Sequence, residues 1–240
     1  MVVPDKLISV INGPIFWLPV TLVIYAASNA LYRRYNKAPL LNPTLLTIVC
    51  IAPVLIISAV PYQKYFEAVA VLHYLLGTAV VALALPLYNN LKRLQGRCLT
   101  MTLALFAGSL ASILVGLAIA TLAGASAFAI LSLAPKSATA AVSMEIAHLI
   151  GGAPAVTGVL TILTGIMGAV AGPYVLDLAQ IRTPEARGFA LGIASHGIAT
   201  ARAFSEGEIA GSFAGLGMAL NAVLTALVVP LVVRAFGFGP

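Results

Sequence analysis

The chain has 240 residues, of which 61% are hydrophobic and only 8% are charged. A soluble domain carries about 25% charged residues, so this chain has too few charges to cover a water-soluble globule. Its net charge of +6 comes mostly from short gaps between apolar segments, which indicates membrane topology rather than a nucleic-acid surface. Composition therefore excludes most soluble classes and predicts an all-α polytopic membrane protein.

Eight apolar segments follow one another, and each is near the ~20 residues that cross a bilayer. They fall at 7–30, 43–60, 66–89, 98–122, 126–149, 153–178, 187–203 and 208–235. The segment 187–203 is short and polar, so we expect a broken or re-entrant helix there and about seven or eight transmembrane helices in all. The basic gaps 31–42 and 90–97 place those loops in the cytoplasm and the N-terminus outside.

The chain is predicted to be a single transmembrane domain, 1–240, with a repeat-like half at 1–122 and a motif-rich half at 123–240. Residues 75–86 are similar to 162–173, and 106–109 can be aligned with 193–196. Pro53 and Pro135 also fall at matching places. The copies are offset by three spans, and an odd offset inverts the second copy. Inverted repeats with broken helices are typical of secondary transporters, whose substrates bind near the midplane.

Pro135 interrupts the apolar run 126–149 and is followed by Lys136, Ser137 and Thr139. Proline disfavours helix at the preceding residue, so we expect the helix to break there and a half-helix to start. Its free N–H groups, its positive dipole end and these side chains would bind a small anion. The alternative is a loop from which Lys136 extends to an interface.

Glu145 and His148 are three residues apart and share a helix face, which Ser137 nearly rejoins eleven residues before His148. A carboxylate and an imidazole so placed could relay a proton. Gly151 and Pro154 indicate that the helix ends nearby, so an interfacial position is the alternative. Glu145, one turn deeper, is the better candidate for proton coupling.

The short segment carries Ser195, His196, Thr200 and Arg202 around Gly197. Adjacent residues of a helix point apart, and neither a GxSxG motif nor a third triad member is visible, which argues against a hydrolase. No other catalytic constellation is visible either, so we do not expect an enzyme. Hydroxyl, imidazole and guanidinium groups beside a glycine suit carboxylate binding.

Polar residues at the start and middle of the last segment complete the candidates. Ser205 and Glu208 match a capping box, and Glu206 is left to pair with Arg202. Asn221 lies in the middle of an apolar helix and is expected to face protein rather than lipid. The two cysteines form no disulfide framework and no metal-binding spacing, so no metal or cofactor is predicted.

Three runs carry a family pattern: PKSATAAVSMEIAHLIGG from Pro135, ARGFALGIASHGIATARAFSEGE from Ala186 and FAGLGMALNAVLTALVVP from Phe213. They closely resemble the LrgB/CidB family, strongly over 130–235 and weakly before that. The resemblance implies a multi-pass protein of the bacterial inner (cytoplasmic) membrane with a small LrgA/CidA-like membrane partner. Bacterial members are described as antiholin-like or as effectors of murein hydrolase export and autolysis. Plastidal members resemble glycolate/glycerate translocators, and some bacterial members are linked to pyruvate uptake.

Together, residues and resemblance predict a proton-coupled transporter of small monocarboxylates such as glycolate, glycerate or pyruvate. The alternative is a holin/antiholin-like regulator of autolysis that transports nothing. The predicted partners are the carboxylate, the lipid bilayer and the small membrane protein, with a homo-oligomer left open and no nucleic acid. Glu145 or His148 would couple protons. The predicted substrate-binding residues are Lys136, Ser137, Thr139, Ser195, His196, Thr200, Arg202 and Asn221.

Overall fold

A computed structural model describes residues 14–35, 38, 41–82, 84–89, 92 and 96–238. In these residues the regular structure is helical and contains no strand, which confirms the all-α polytopic prediction. The helices fall into two compact units, one up to Ala82 and the other from residue 84 onwards. Residues 7–13 of the first predicted segment, and Lys37 and Arg93 of the two basic gaps, lie outside the described residues.

The first unit packs four helices around an aromatic contact. They are α1 (Pro14–Arg34), α2 (Pro43–Ile57), α3 (Tyr62–Ala68) and α4 (Ala70–Ala82). The Asn42 side chain starts α2 by accepting hydrogen bonds from two backbone N–H groups of its first turn. Trp17 is 1% exposed and meets Tyr65 edge-on, with ring centroids 5.5 Å apart. None of the predicted site residues lies in this unit.

The second unit holds the three motif runs. Its helices are α5 (Ala84–Asn89), α6 (Cys98–Leu122), α7 (Ala127–Leu133), α8 (Ala140–Ile150), α9 (Pro154–Leu178), α10 (Pro184–Glu206) and α11 (Glu208–Ala235). Of these, α6, α9 and α11 are long and apolar enough to cross a membrane, as α1 is in the first unit. Large apolar side chains such as Leu103, Val159 and Leu227 are exposed on them, as contact with lipid tails requires.

The helix α10 folds back on itself at Ser195 and His196. Their backbone torsions are not helical, with φ −148° and ψ 25° at Ser195 and φ 44° and ψ −139° at His196. Arg187 Nε donates a hydrogen bond to Glu206 Oε2 at 2.9 Å, although these residues are 19 positions apart. A straight helix would separate them by about 28 Å. Residues 184–206 therefore form a re-entrant hairpin, here called the 195 hairpin, which confirms the predicted break.

The helices α7 and α8 form a second hairpin around Pro135, here called the 135 hairpin. Helix α7 ends at Leu133, and α8 begins after Thr139. Ser143 Oγ on α8 donates to the Pro135 carbonyl at 2.6 Å, and the Ala153 N–H beyond α8 donates to Ser132 Oγ at 2.8 Å. Because α8 returns to the level of α7, the predicted break is confirmed. The prediction that 126–149 crosses the membrane is wrong, because the chain re-enters there.

The two hairpins open at opposite ends of the second unit. Arg97, just before α6, pairs with Glu185 at the start of the 195 hairpin, with 3.7 Å between Nη1 and Oε1. Arg187 also contacts Asp177, near the end of α9. The start of α6, the end of α9 and both ends of the 195 hairpin therefore share one end, here called the basic end. The 135 hairpin opens at the other end, between the end of α6 and the start of α9.

This arrangement changes the expected topology of the loops. If 126–149 crossed, Arg97 and Arg182 would lie on opposite sides of the membrane. With the 135 hairpin re-entrant, α6 and α9 cross once each and bring Arg182 and Arg187 to the side of Arg97. Positive charge then collects at one end of this unit, as the positive-inside rule expects, with Arg234 at the other end.

The inverted repeat and the division into halves at residue 122 stay predictions. The aligned segments differ in local conformation, since 106–109 lies inside the continuous α6 whereas 193–196 contains the break. Pro53 lies inside α2, while Pro135 follows the end of a helix.

Candidate binding site at the hairpin tips

The tips of the two hairpins meet near the middle of the second unit. Both α6 and α11 contact the two tips at positions three or four residues apart, which is about 4.5–6 Å along a helix. These positions are Ser112 and Gly108 on α6, and Asn221 and Met218 on α11. All four lie near the midpoints of helices of 25 and 28 residues. The tips are therefore separated by about one helical turn, at mid-depth of the membrane-crossing helices.

The 135 tip is fixed to α11 by an amide. Asn221 Nδ2 donates to the Ser137 carbonyl oxygen at 2.9 Å, which orients the amide and confirms that Asn221 faces protein. Ser137 Oγ and Asn221 Oδ1 are buried and have no hydrogen-bond partner in the part of the chain that the structure describes. Thr139 is the N-cap of α8, but its side chain makes no capping bond. The start of α8 thus presents backbone donors beside two buried polar atoms that lack partners.

Lys136 extends from the 135 tip to the middle of α6 rather than to an interface. Its Nζ donates to Ser112 O at 3.0 Å and to Ser112 Oγ at 3.3 Å. Gly116 makes room for it, since a Cβ at that position would lie 3.0 Å from Nζ. Among the described residues, no carboxylate lies within 4.0 Å of the ammonium. Neutral acceptors alone therefore hold this half-buried positive charge.

Hydrogen bonds to α9 and within the return arm set the shape of the 195 tip. His196 Nε2 lies 2.8 Å from the Thr161 carbonyl oxygen, and since a carbonyl only accepts, Nε2 carries the proton. Thr200 Oγ1 donates to the His196 carbonyl at 2.8 Å. Both protons are thus used to hold the tip. Substrate binding by His196 and Thr200 stays a prediction, while the hydrogen bonds of these side chains give them a positioning role.

The 195 tip sits directly on glycines of α9. A Cβ at Gly165 would lie 2.6 Å from His196 Cε1, and one at Gly168 would overlap the side chain of Ser195. Ser195 itself is 3% exposed. The His196 ring is hydrogen-bonded to the Thr161 carbonyl oxygen. The described structure therefore gives Ser195 and His196 no serine–histidine hydrogen bond of the kind that a hydrolase uses. Small residues at these two positions let the tip reach mid-depth.

Two predicted groups lie away from the tips. Arg202 is on the return arm toward the basic end, with Nε 3.9 Å from Glu206 Oε1, which confirms the expected pairing. Glu145 and His148 are exposed on α8. Ser137 lies in the turn before α8, so the face predicted to join it to His148 does not exist. Neither the substrate role of Arg202 nor the coupling role of the α8 pair is supported by proximity to the tips.

The predicted capping box is also wrong. The last helix begins at Glu208 after Gly207, whose φ of 154° favours glycine, and no side chain caps it. Ser205 instead lies in the return arm of the 195 hairpin, where its Oγ is 3.4 Å from the Ala201 carbonyl. Glycine and proline around α8 act as predicted, with Gly151 in the left-handed conformation and Pro154 opening α9.

Several buried hydroxyls near the tips were not among the predicted residues. Ser109, Thr161 and Thr225 are at most 1% exposed, and their side-chain oxygens have no hydrogen-bond partner. On α9, the Thr157 and Thr164 hydroxyls donate to backbone carbonyls. The Thr161 carbonyl accepts from His196, whereas the Thr161 hydroxyl makes no hydrogen bond within the described residues. In the sequence, Ser109, Thr161 and Thr225 could have been found as hydroxyl side chains inside otherwise apolar membrane-crossing helices.

A cavity of about 630 Å³ leads toward Lys136 from the basic end. It lies between α6 and the first arm of the 195 hairpin, with Phe213 of α11 on one wall. Its mouth carries Arg97 and Glu185, and Ser112 lies at its inner end. Ser112 also holds the Lys136 ammonium, so the cavity and the 135 tip share this residue, while Lys136 itself does not line the cavity.

The hairpin tips combine features that stabilise a small anion. Helix α8 and the return arm of the 195 hairpin both start at mid-depth, so both direct positive dipole ends and backbone N–H groups inward. Lys136 adds a formal positive charge, and Ser137 adds a hydroxyl without a partner. In the described part of the chain, no three His, Cys, Asp or Glu side chains cluster as metal ligands.

The LrgB-like family model matches residues 21–235 of the chain. A Staphylococcus epidermidis protein named holin-like protein CidB is 32% identical over 216 residues, covering 90% of this chain and 94% of its own. A Bacillus subtilis protein of unassigned function, YxaC, is 36% identical over the same shares. A Haemophilus influenzae protein, also uncharacterised, is 30% identical over 84% of this chain and 87% of its own. No solved structure matches the chain.

Proposed function

The chain belongs to the LrgB-like family, and we propose that it is a proton-coupled transporter of small monocarboxylates such as glycolate, glycerate or pyruvate. It acts in the cytoplasmic membrane of a bacterium, with a small LrgA/CidA-like membrane protein as partner. The 195 hairpin and the basic end face the cytoplasm, because most cationic side chains of the second unit lie there. The 135 hairpin then opens to the outside.

The observation that carries the proposal is the meeting of two oppositely directed hairpins at a site with buried polar atoms that lack partners. Irregular backbone at membrane depth is tolerated where it is buried in protein or lines a polar cavity. Broken helices that direct their N-termini to the midplane bind anionic groups in secondary transporters. A single carboxylate would satisfy Ser137 Oγ, the uncapped start of α8 and the charge of Lys136 together.

The size and charge of the site favour a small monoanion. One ammonium is present at the tips, and the carboxylates nearest to it in sequence lie on exposed faces or at helix ends. Other hydroxyls around the tips, those of Ser109, Thr161 and Thr225, are available to a substrate hydroxyl or to water. A dianion would bring a second charge into a site with one compensating cation.

Uptake into proteoliposomes tests the proposal directly. Purified protein is reconstituted with and without the small partner, and uptake of labelled glycolate and pyruvate is followed under an inward proton gradient. Saturable uptake above that of protein-free vesicles is expected. If neither glycolate nor pyruvate is taken up with or without the small partner, the transporter proposal is refuted.

The variant Ser137→Ala connects transport to the site. The Ser137 hydroxyl has no hydrogen-bond partner among the described residues, so its removal should leave thermal stability unchanged. A hydrogen bond to a charged ligand contributes about 1.5–3 kcal/mol, so KM should rise roughly 10- to 100-fold. Ser143→Ala is the matched control, because that hydroxyl is bonded to Pro135 O and its loss should lower stability.

A holin-like regulator of murein hydrolase export and autolysis is the second candidate function. The Staphylococcus epidermidis relative named holin-like protein CidB favours it. In the same vesicles this function predicts non-saturable leak of unrelated solutes, such as a small fluorescent dye. Leak that Ser137→Ala leaves unchanged, without carboxylate uptake, would support this candidate over the transporter.

A further inference from the structure

We propose that Lys136 carries the coupling proton, so that one proton and one carboxylate cross the membrane together through the same site. This inference rests on the proposed transport function and replaces the predicted coupling residues of α8. It follows from what surrounds the Lys136 ammonium and from how that ammonium reaches the basic end.

Within the described part of the chain, the surroundings of Lys136 supply no permanent counter-charge. The ammonium is held by Ser112 O and Oγ, which are neutral, and Gly116 lies against its end. The charge of a half-buried ammonium without a carboxylate is costly, so the charged form is favoured when an anion is bound. A carboxylate that reaches the 135 tip is the missing counter-ion.

The titratable and charged groups on the elements around Lys136 lie at other levels or on other faces. Helix α7 has none, and α6 and α11 have them only at their termini. The titratable side chains of α8 are exposed. The charged side chains of the 195 hairpin lie in the ion pairs at the basic end. His196, at the tip, is hydrogen-bonded to the Thr161 carbonyl oxygen. These groups are Cys98, Glu145, His148, Tyr174, Asp177, Glu185, Arg187, His196, Arg202, Glu206, Glu208 and Arg234.

The cavity between α6 and the 195 hairpin reaches Ser112, the residue that holds the ammonium. Ser112 belongs both to the lining of this cavity and to the hydrogen bonds of Lys136 Nζ. The ion pair of Arg97 and Glu185 lies at the mouth of this cavity. In this proposal, substrate and proton both approach Lys136 through the cavity.

The cycle balances in charge and in protons. On one side Lys136 Nζ takes a proton from water and binds the carboxylate, which forms a neutral pair. After the site opens to the other side, the carboxylate leaves and Nζ gives its proton to water. The empty protein returns with a neutral amine. Each cycle moves one proton and one monoanion, without net charge.

Lys136→Arg separates binding from proton release, because a guanidinium stays protonated in proteins. The variant can bind the anion and carry it in both directions, but it cannot return empty in the neutral form. With labelled glycolate as the probe, net uptake driven by a proton gradient should fall to the background of protein-free vesicles. Exchange of internal unlabelled for external labelled glycolate should persist. Full proton-driven uptake by Lys136→Arg would overturn the inference.

Glu145→Gln and His148→Gln are the controls, and they decide the matter if the arginine variant does not fold. Both should keep proton-driven uptake and exchange. If either loses net uptake but keeps exchange, the coupling group lies on α8 and the inference is overturned. Wild-type protein that shows neither uptake nor exchange would instead refute the transport function itself.

Discussion

Replacing Gly165 by alanine tests whether the 195 tip sits on α9 at mid-depth. The new Cβ would lie 2.6 Å from His196 Cε1 and 2.9 Å from its Nε2. An ordinary carbon contact needs about 3.5 Å, so the buried ring must shift by about 0.9 Å. Its 2.8 Å bond to the Thr161 carbonyl would then stretch beyond hydrogen-bonding range.

The variant Gly158→Ala, on the same helix, isolates the free-energy cost of the clash between the new Cβ at Gly165 and His196. There the nearest atom is Met144 Sδ at 3.2 Å, the end of a flexible side chain that can move away. Both substitutions gain about 1 kcal/mol of helix propensity, which cancels between them. Overpacking costs about 1–3 kcal/mol, so Gly165→Ala should be less stable than Gly158→Ala by about that amount.

Thermal unfolding in detergent, followed by size-exclusion chromatography, measures the difference. Gly158→Ala should melt at or above the wild-type temperature and Gly165→Ala below it. Adding His196→Ala removes the clashing ring, so the double variant should lose less stability than the sum of the single ones. Equal melting of the two alanine variants would refute the placement of the tip.

Three further predictions concern the ends of the hairpins. Arg187→Ala removes contacts to two carboxylates and a carbonyl, so it should lower the unfolding free energy by about 1–3 kcal/mol. Arg97→Ala removes a longer and more exposed ion pair and should cost at most about 1 kcal/mol. Denaturant titration measures both unfolding free energies. Ser143→Ala removes one of two donors from the buried Pro135 carbonyl, which keeps the Ala138 N–H at 3.0 Å, and should cost about 0.5–1.5 kcal/mol in the same assay. The last prediction uses a protein without its native cysteines, in which Thr183→Cys and Ala125→Cys are made separately. An impermeant maleimide should label Thr183→Cys only from the cytoplasm and Ala125→Cys only from outside. Labelling of both variants from the same side would contradict the opposite openings of the two hairpins.

The sequence predicts the helical segments and both breaks well, because proline and polar residues inside apolar runs have direct backbone consequences. Pro135 lacks an N–H, and the helix ends just before it. At Ser195 and His196 the polar run marked the break correctly. Asn221, alone in an apolar helix, was correctly expected to face protein.

At 187–203 the sequence left a broken and a re-entrant helix open, and after Pro135 it did not predict the direction of the chain. A run of about 20 apolar residues suits a crossing helix and a re-entrant hairpin equally well in length. The contact of Arg187 with Glu206 and that of Ser143 with Pro135 depend on the fold-back and leave no local pattern. The substrate role of Arg202 stays a prediction.

The most direct test of the account is whether the two ends of segment 184–206 are adjacent. Cysteines replace Arg187 and Glu206 in a protein whose Cys50 and Cys98 are alanine, and a short bifunctional thiol reagent is added to native membranes. If the hairpin is re-entrant, an intramolecular cross-link should form between the peptides that carry positions 187 and 206, and mass spectrometry identifies it. A straight crossing helix would hold the two positions about 28 Å apart. Absence of the cross-link while both cysteines are labelled singly would contradict the re-entrant hairpin and the site built on it.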